Sequence, residues 1–227
     1  MNQKLHYFVF MLLCSLSLGT KAQSNDTIRH EVLLETSMGN IRLVLYNETP
    51  LHRDNFLRLV KDGYYDGNLF HRVISNFMIQ SGDSTSRHAK PGSSVGEYSP
   101  DYTISAEIVY PKYFHKRGAL AAAREGDDVN PRKRSSATQF YFVWGRKFSQ
   151  RAIEFIENRM TVALTPEMKE AYMTYGGTPH LDGAYTVFGE ITEGLEVVER
   201  IQNMATDEGD HPLQPIMILR TTIVREQ

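Results

Sequence analysis

Apolar residues recur along this chain in short bursts, and their spacing predicts strands more often than helices. After a polar lead at residues 23–30, the runs 31–36 and 40–46 are joined through Met38-Gly39-Asn40, the turn chemistry of a β-hairpin. A helix follows, with Thr49 as its expected cap, Pro50 in the first turn, an apolar stripe of Phe56, Leu57, Leu59 and Val60, and Gly63 as its stop. Residues 69–74 and 77–80 read as short strands around Ser75-Asn76, and 84–101 as a long polar loop. Strand-like runs return at 102–108, 118–123, 139–144, 186–191 and 215–224. Leu195, Val197, Val198 and Ile201 form a second helix before the last run.

Many short strands, two helices and no βαβ alternation predict an antiparallel barrel rather than a parallel sheet. Residues 146–178 interrupt the rhythm. Ala152, Ile153, Phe155, Ile156 and Met160 fall at helical spacing, and Thr165-Pro166-Glu167 starts a further helix that runs to Tyr175 before Gly176-Gly177.

The first residues change the picture of where the protein works. Lys4, an apolar run over 7–18 and the small residue Ala22 have the form of an export signal. About twelve apolar residues fall short of the roughly 20 that span a bilayer, so no stable membrane span is expected in the mature form. Leu12 and Leu13 before Cys14 argue against a lipid anchor there. The expected division is a signal at 1–22 and one domain at 23–227, exported to a periplasmic or extracellular space. Cys14 is the single cysteine of 227 residues, so disulfide frameworks, CxxC redox centres and cysteine-rich zinc sites are excluded. A net charge of −2, with 41% hydrophobic and 23% charged residues, describes an ordinary globular protein with no basic field for nucleic acid.

Most candidate motifs have an ordinary explanation. Gly92-Ser93-Ser94-Val95-Gly96 matches the serine-hydrolase elbow in letters, but Lys90-Pro91 and Glu97-Tyr98-Ser99-Pro100 supply neither the strand nor the helix that the elbow needs. The histidines follow no metal-ligand spacing, and no metal is expected. Arg132-Lys133-Arg134, with Lys112, Lys116 and Arg117 upstream, reads as solvated loop charge. Phe70-His71-Arg72-Val73-Ile74 followed by Phe77-Met78-Ile79-Gln80 is different. Strand alternation puts Arg72 on one face with Phe70 and Ile74, either as an internal salt bridge or as a cation held in a dry groove.

These residues resemble a known family. The run 70–83 is similar to the signature of cyclophilins, a class of peptidyl-prolyl cis–trans isomerases. The order of later blocks agrees: Gly118-Ala119-Leu120-Ala121-Ala122-Ala123-Arg124, then Ser135-Ser136-Ala137-Thr138-Gln139-Phe140-Tyr141-Phe142, then His180-Leu181-Asp182-Gly183 and Thr186-Val187-Phe188-Gly189. The resemblance implies a mainly β, closed eight-stranded antiparallel barrel with two capping helices, extended here by the 146–178 helical insertion. That segment is about thirty residues longer than the corresponding family loop.

Carried over, the resemblance makes Arg72 the catalytic cation. Phe77, Met78, Tyr141 and Leu181 line a proline pocket with Tyr185 beside it. Gln80 holds the substrate backbone, the main chain at Arg124 pairs with the residue before the proline, and Gln139 supports Arg72 from the groove wall. Proline-containing polypeptides are the expected partners; no cofactor and no nucleic acid are expected, and the expected state is a monomer. Ser75-Asn76 replaces a common Pro-Gly turn, Tyr141 a frequent phenylalanine, and His180 the tryptophan associated with strong cyclosporin binding. The competing expectation is a chaperone or peptide-binding module that uses the groove and the insertion without catalysis.

Overall fold

The computed structural model describes residues 30–89, 93–98 and 100–226. The expected signal and Cys14 lie outside the described residues. The hairpin predicted around Gly39 forms as β1 (His30–Thr36) and β2 (Gly39–Leu45), paired in register from His30↔Leu45 to Thr36↔Gly39. Its alternation is the sequence pattern made physical: Val32 and Leu34 on β1, and Ile41, Leu43 and Leu45 on β2, are buried, while their neighbours are not.

Helix α1 (Pro50–Lys61) packs Phe56, Leu57, Leu59 and Val60 into the same core. Its cap differs from expectation. Thr49 makes no capping bond with its side chain. Instead the Glu107 carboxylate accepts from the N–H groups of Leu51 (3.0 Å) and His52 (2.9 Å), an anion at the positive end of the helix. This takes 105–108 away from strand pairing, so the run expected over 102–108 is reduced to β5 (Thr103–Ile104), which pairs with β7 (Ser135–Ser136) in a separate two-stranded ladder.

The remaining strands are β3 (Arg72–Ile74), β4 (Met78–Ser81), β6 (Ala119–Ala122), β8 (Phe140–Val143), β9 (Val187–Glu193) and β10 (Ile218–Glu226). With β1 and β2 they form one eight-stranded antiparallel sheet in the order β10-β1-β2-β9-β6-β8-β4-β3. The sheet curls into a half-barrel and is not closed, which corrects the closed barrel expected above. Its edges, β10 and β3, share no ladder: β3 is three residues long, and the seam holds only an isolated Leu69–Met217 bridge and single bonds such as Phe70 N–H to the Ile216 carbonyl, 2.8 Å. Besides α1, the described residues contain α2 (Gln150–Glu157) and α3 (Pro166–Thr174) in the insertion and α4 (Leu195–Gln202) before β10.

β6 and β8 are buried on both faces. Leu120, Ala122, Phe140 and Phe142 face the main core. Ala119, Ala121, Tyr141 and Val143 point the opposite way, into a second apolar cluster with Met78 and Val187. An apolar cluster on the outer face of a half-barrel must be covered by something, and here loops and the insertion surround it. The insertion has a third small core of its own, in which Ile153, Leu164, Met168 and Tyr172 pack against Tyr110 and Phe114. Phe155 does not join it and is 58% exposed.

Candidate active site

The second cluster is incompletely covered, and the gap is the candidate site. A cavity of about 170 Å³ lies over β4 and β8, lined by Arg72, Phe77, Met78, Gln80, Ala123, Arg124, Tyr141, Leu181 and Tyr185. Every residue expected from the sequence lines it except Gln139, and Ala123 is the addition. Antiparallel register explains the assembly: Arg72 pairs with Gln80 across β3 and β4, and Gln80 pairs with Tyr141 across β4 and β8, so three adjacent strands present one residue each. The small side chains of Ala119, Ala121 and Ala123 on the same side leave the room that larger residues would fill.

The expected alternation around Arg72 is only partly right. Phe70 does not share its face, because the ladder begins at Arg72; Phe70 and Val73 both enter the main core, while Ile74 joins the outer cluster. Nor is Arg72 dry. Its side chain is 43% exposed at the cavity rim, and its Nε donates to Asp210 Oδ2 at 3.3 Å. That carboxylate is the support that Gln139 was expected to give. Gln139 instead accepts from Gln80 Nε2 at 2.8 Å through its Oε1, and donates to the carbonyls of Gly96 and Tyr98. It thereby orients Gln80 and lines a larger neighbouring cavity of about 720 Å³ that also includes Gln80 and Arg124.

Gly82, in the turn after β4, is required by shape. Its φ is +102°, and a Cβ there would lie 2.1 Å from the Thr138 carbonyl oxygen. Next to it the buried Asp83 accepts from Thr85 N–H (2.8 Å) and Gly96 N–H (2.5 Å), pinning the loop that Gln139 grips.

The Arg124 guanidinium lies 4.3 Å from the Tyr185 ring centroid and donates through Nε to the Ala184 carbonyl at 2.9 Å, which ties the two sides of the cavity together. Its own main chain lies beyond the end of β6 at Ala122.

The Tyr141 hydroxyl, the departure that needed a partner, finds one in a buried chain of polar groups. It sits 3.0 Å from His115 Nε2, while His115 Nδ1 lies 2.9 Å from Asp182 Oδ1. The same oxygen accepts from the His115 N–H at 2.8 Å, and Tyr172 of α3 donates its hydroxyl to Asp182 Oδ2 at 2.5 Å. Since the carboxylate only accepts, a neutral imidazole carries its proton on Nδ1 and takes the Tyr141 hydroxyl hydrogen on Nε2. Burial, reinforced by the Asp182 charge, pushes the Tyr172 phenol far above its ordinary range, and burial does the same to Tyr141, so both remain donors.

Sequence reasoning missed His115, Tyr172 and Asp210. Their partners are 67, 10 and 138 residues away, and no local pattern marks them. Asp182 and Ala123 stood inside blocks that had already been singled out.

Elsewhere the ordinary explanations fit. Ser94 is exposed and donates to Glu97, and the described residues 93–98 contain no strand or helix. Arg134 clamps Thr103 and Ser105, Lys116 pairs with Glu190, and Arg117 covers Trp144. Among the described residues no His, Cys, Asp and Glu cluster could hold a metal ion, and no helix is long and apolar enough to cross a membrane.

Known proteins share this architecture. The model of the family "cyclophilin type peptidyl-prolyl cis-trans isomerase/CLD" matches residues 31–223. Peptidyl-prolyl cis-trans isomerase ppi1 of Schizosaccharomyces pombe is 33% identical over 192 residues, covering 83% of this chain and 96% of that protein. A crystal structure of a Cryptosporidium parvum cyclophilin type peptidyl-prolyl cis-trans isomerase superposes with a TM-score of 0.62 at 24% identity, covering 88% of this chain and 99% of the other. The same parasite protein in the presence of the dipeptide Ala-Pro gives 0.60 at 25% identity, covering 85% and 98%. This chain belongs to the cyclophilin-type peptidyl-prolyl cis-trans isomerases and is an isomerase enzyme.

Proposed function

We propose that the protein is an exported, monomeric folding catalyst whose isomerase site is the 170 Å³ cavity, with Arg72 as the catalytic cation. The observation that carries the proposal is the juxtaposition of a cavity of ring size, with Phe77, Met78 and Leu181 in its lining, and a rim arginine whose Nε is held by Asp210, which leaves its two amino groups for substrate.

Rotation about an X-Pro bond is slow because amide resonance must be broken, at a barrier of about 18–20 kcal/mol. In the twisted state the prolyl nitrogen is pyramidal and recovers its lone pair. It then accepts a hydrogen bond that the planar ground state cannot, so a guanidinium aimed at it lowers the transition state selectively. Phe77, Met78, Tyr141 and Leu181 hold the ring. Gln80, fixed by Gln139, holds the adjoining backbone, and the main chain at Arg124 pairs with the residue before the proline. Arg72 is wet until a substrate covers the rim, so its contribution requires the peptide itself to exclude water. No proton transfer and no covalent intermediate enters this scheme.

A hydrogen bond to a charged donor contributes about 1.5–3 kcal/mol, or roughly 10- to 150-fold in rate. Arg72→Ala is therefore expected to lower kcat/KM by at least an order of magnitude in a protease-coupled X-Pro assay, with unchanged thermal unfolding. Near-normal turnover in the folded variant would defeat the assignment. Export is tested separately: the mature chain is expected to begin at Gln23, and a mature protein that retains Met1 would refute it.

A further inference from the structure

The wall between residues 180 and 184 has two sides, and only one belongs to the proline cavity. Leu181 faces that cavity, while His180 and Ala184 face a second cavity of about 320 Å³ on the other side. The opposite wall of this second cavity comes from the insertion: Phe155 and Ile156 of α2, with Arg159 and Met160 just beyond it. Phe155 is the apolar residue that the third core leaves outside, 58% exposed, with the Arg159 guanidinium 3.5 Å from its ring centroid. Scattered surface aromatics need no explanation. A concave apolar patch that adjoins a peptide site is a different matter.

The two cavities meet at a narrow rim. His180 lines the second cavity and stacks on Phe77 of the first, centroid to centroid 5.5 Å with an interplanar angle of 27°. An extended chain advances about 3.3–3.6 Å per residue, so two residues carry a peptide across one stacked pair. Direction follows from the rest of the groove. Past Gln80 and Arg124 the proline cavity continues into the 720 Å³ cavity, the side on which the proposed function places the residue before the proline. The chain after the proline therefore leaves over Phe77 and His180.

We infer that the insertion builds a specificity site for the second residue after the substrate proline, one that takes a large apolar side chain such as leucine or phenylalanine. This rests on the proline being held in the 170 Å³ cavity. Phe155, Ile156 and Met160 supply the apolar contact, and His180 supplies the rim over which the backbone passes. The insertion thus selects among proline-containing clients and leaves the bond rotation to the 170 Å³ cavity.

The test uses a peptide series Ala-Ala-Pro-Ala-Z-Ala, with Z as Leu, Phe, Ala or Asp, and follows cis–trans exchange by NMR on the protein and on Phe155→Ala/Ile156→Ser. The expected result is a preference for Leu and Phe over Ala on the order of tenfold in kcat/KM, carried mainly by KM, with Asp the poorest. The double variant should lose that preference while it turns over the Ala peptide as before. Equal rates across the series, or a preference that survives in the variant, would overturn the inference. Loss of exchange for every peptide would instead defeat the isomerase site. In that event binding decides the inference: equal affinities of the Leu and Ala peptides, read by chemical-shift titration, would overturn it.

Discussion

Asp182 is the residue whose loss should cost the most stability for the fewest atoms. It is fully buried, with a side-chain exposure of 0%, and His115 beside it is at 1%. Its two oxygens accept three hydrogen bonds, from the His115 N–H, His115 Nδ1 and the Tyr172 hydroxyl. Alanine removes both acceptor oxygens and leaves three donors buried without partners. Each buried donor left unsatisfied costs about 1–3 kcal/mol, so the three together cost at least about 3 kcal/mol, which for a domain of this size is a drop of about 6–12 °C or more in Tm. Asparagine keeps the shape but offers one oxygen where two are used, so one charge-assisted bond is lost and the cost falls to about 1.5–3 kcal/mol. Urea unfolding at neutral pH, compared at constant m, is the assay. The order wild type, Asp182→Asn, Asp182→Ala is the expected result. An alanine variant within about 1 kcal/mol of wild type would show that the chain from Tyr172 to Tyr141 does not hold the cavity wall.

Other outcomes follow from the same geometry. Asp210→Asn should leave Tm nearly unchanged, since an ion pair this exposed contributes about 0–1 kcal/mol, and asparagine tolerates the positive φ of 65° at this position. It should lower kcat/KM by up to about fivefold because Arg72 is no longer held; an unchanged value would remove Asp210 from the site. His71 is 3% exposed and burial, opposed by the Asp83 charge, lowers its pKa to about 4. A histidine depressed on folding contributes stability in full above its unfolded pKa of about 6.5, and that stability is lost as pH falls toward 4. The expected loss is about 2 kcal/mol by pH 5. Unfolding curves at pH 7.5 and 5 should show this difference shrinking in His71→Phe, and an equal pH dependence in both proteins would refute it.

The spacing of apolar residues carried the hairpin at Gly39, helices α1 and α4, both insertion helices and most of the strands as runs along the chain, because alternation and helical stripes are written within a few residues of one another. The motif blocks likewise carried nearly the whole lining of the 170 Å³ cavity, in which adjacent strands present Arg72, Gln80 and Tyr141 in register. What the tertiary structure alone decided are the relations between distant positions. Glu107 caps α1 from 56 residues away, and Asp210 holds Arg72 from 138. Tyr141 and Val143 turn outward while Phe140 and Phe142 turn inward, on a strand apolar at every position. A strand buried on both faces has no polar side to reveal which way it points. The half-barrel stays open for a related reason: hydrophobic pattern says that strands exist, but edge pairing depends on how many residues of the short β3 come within reach of the last strand's neighbours.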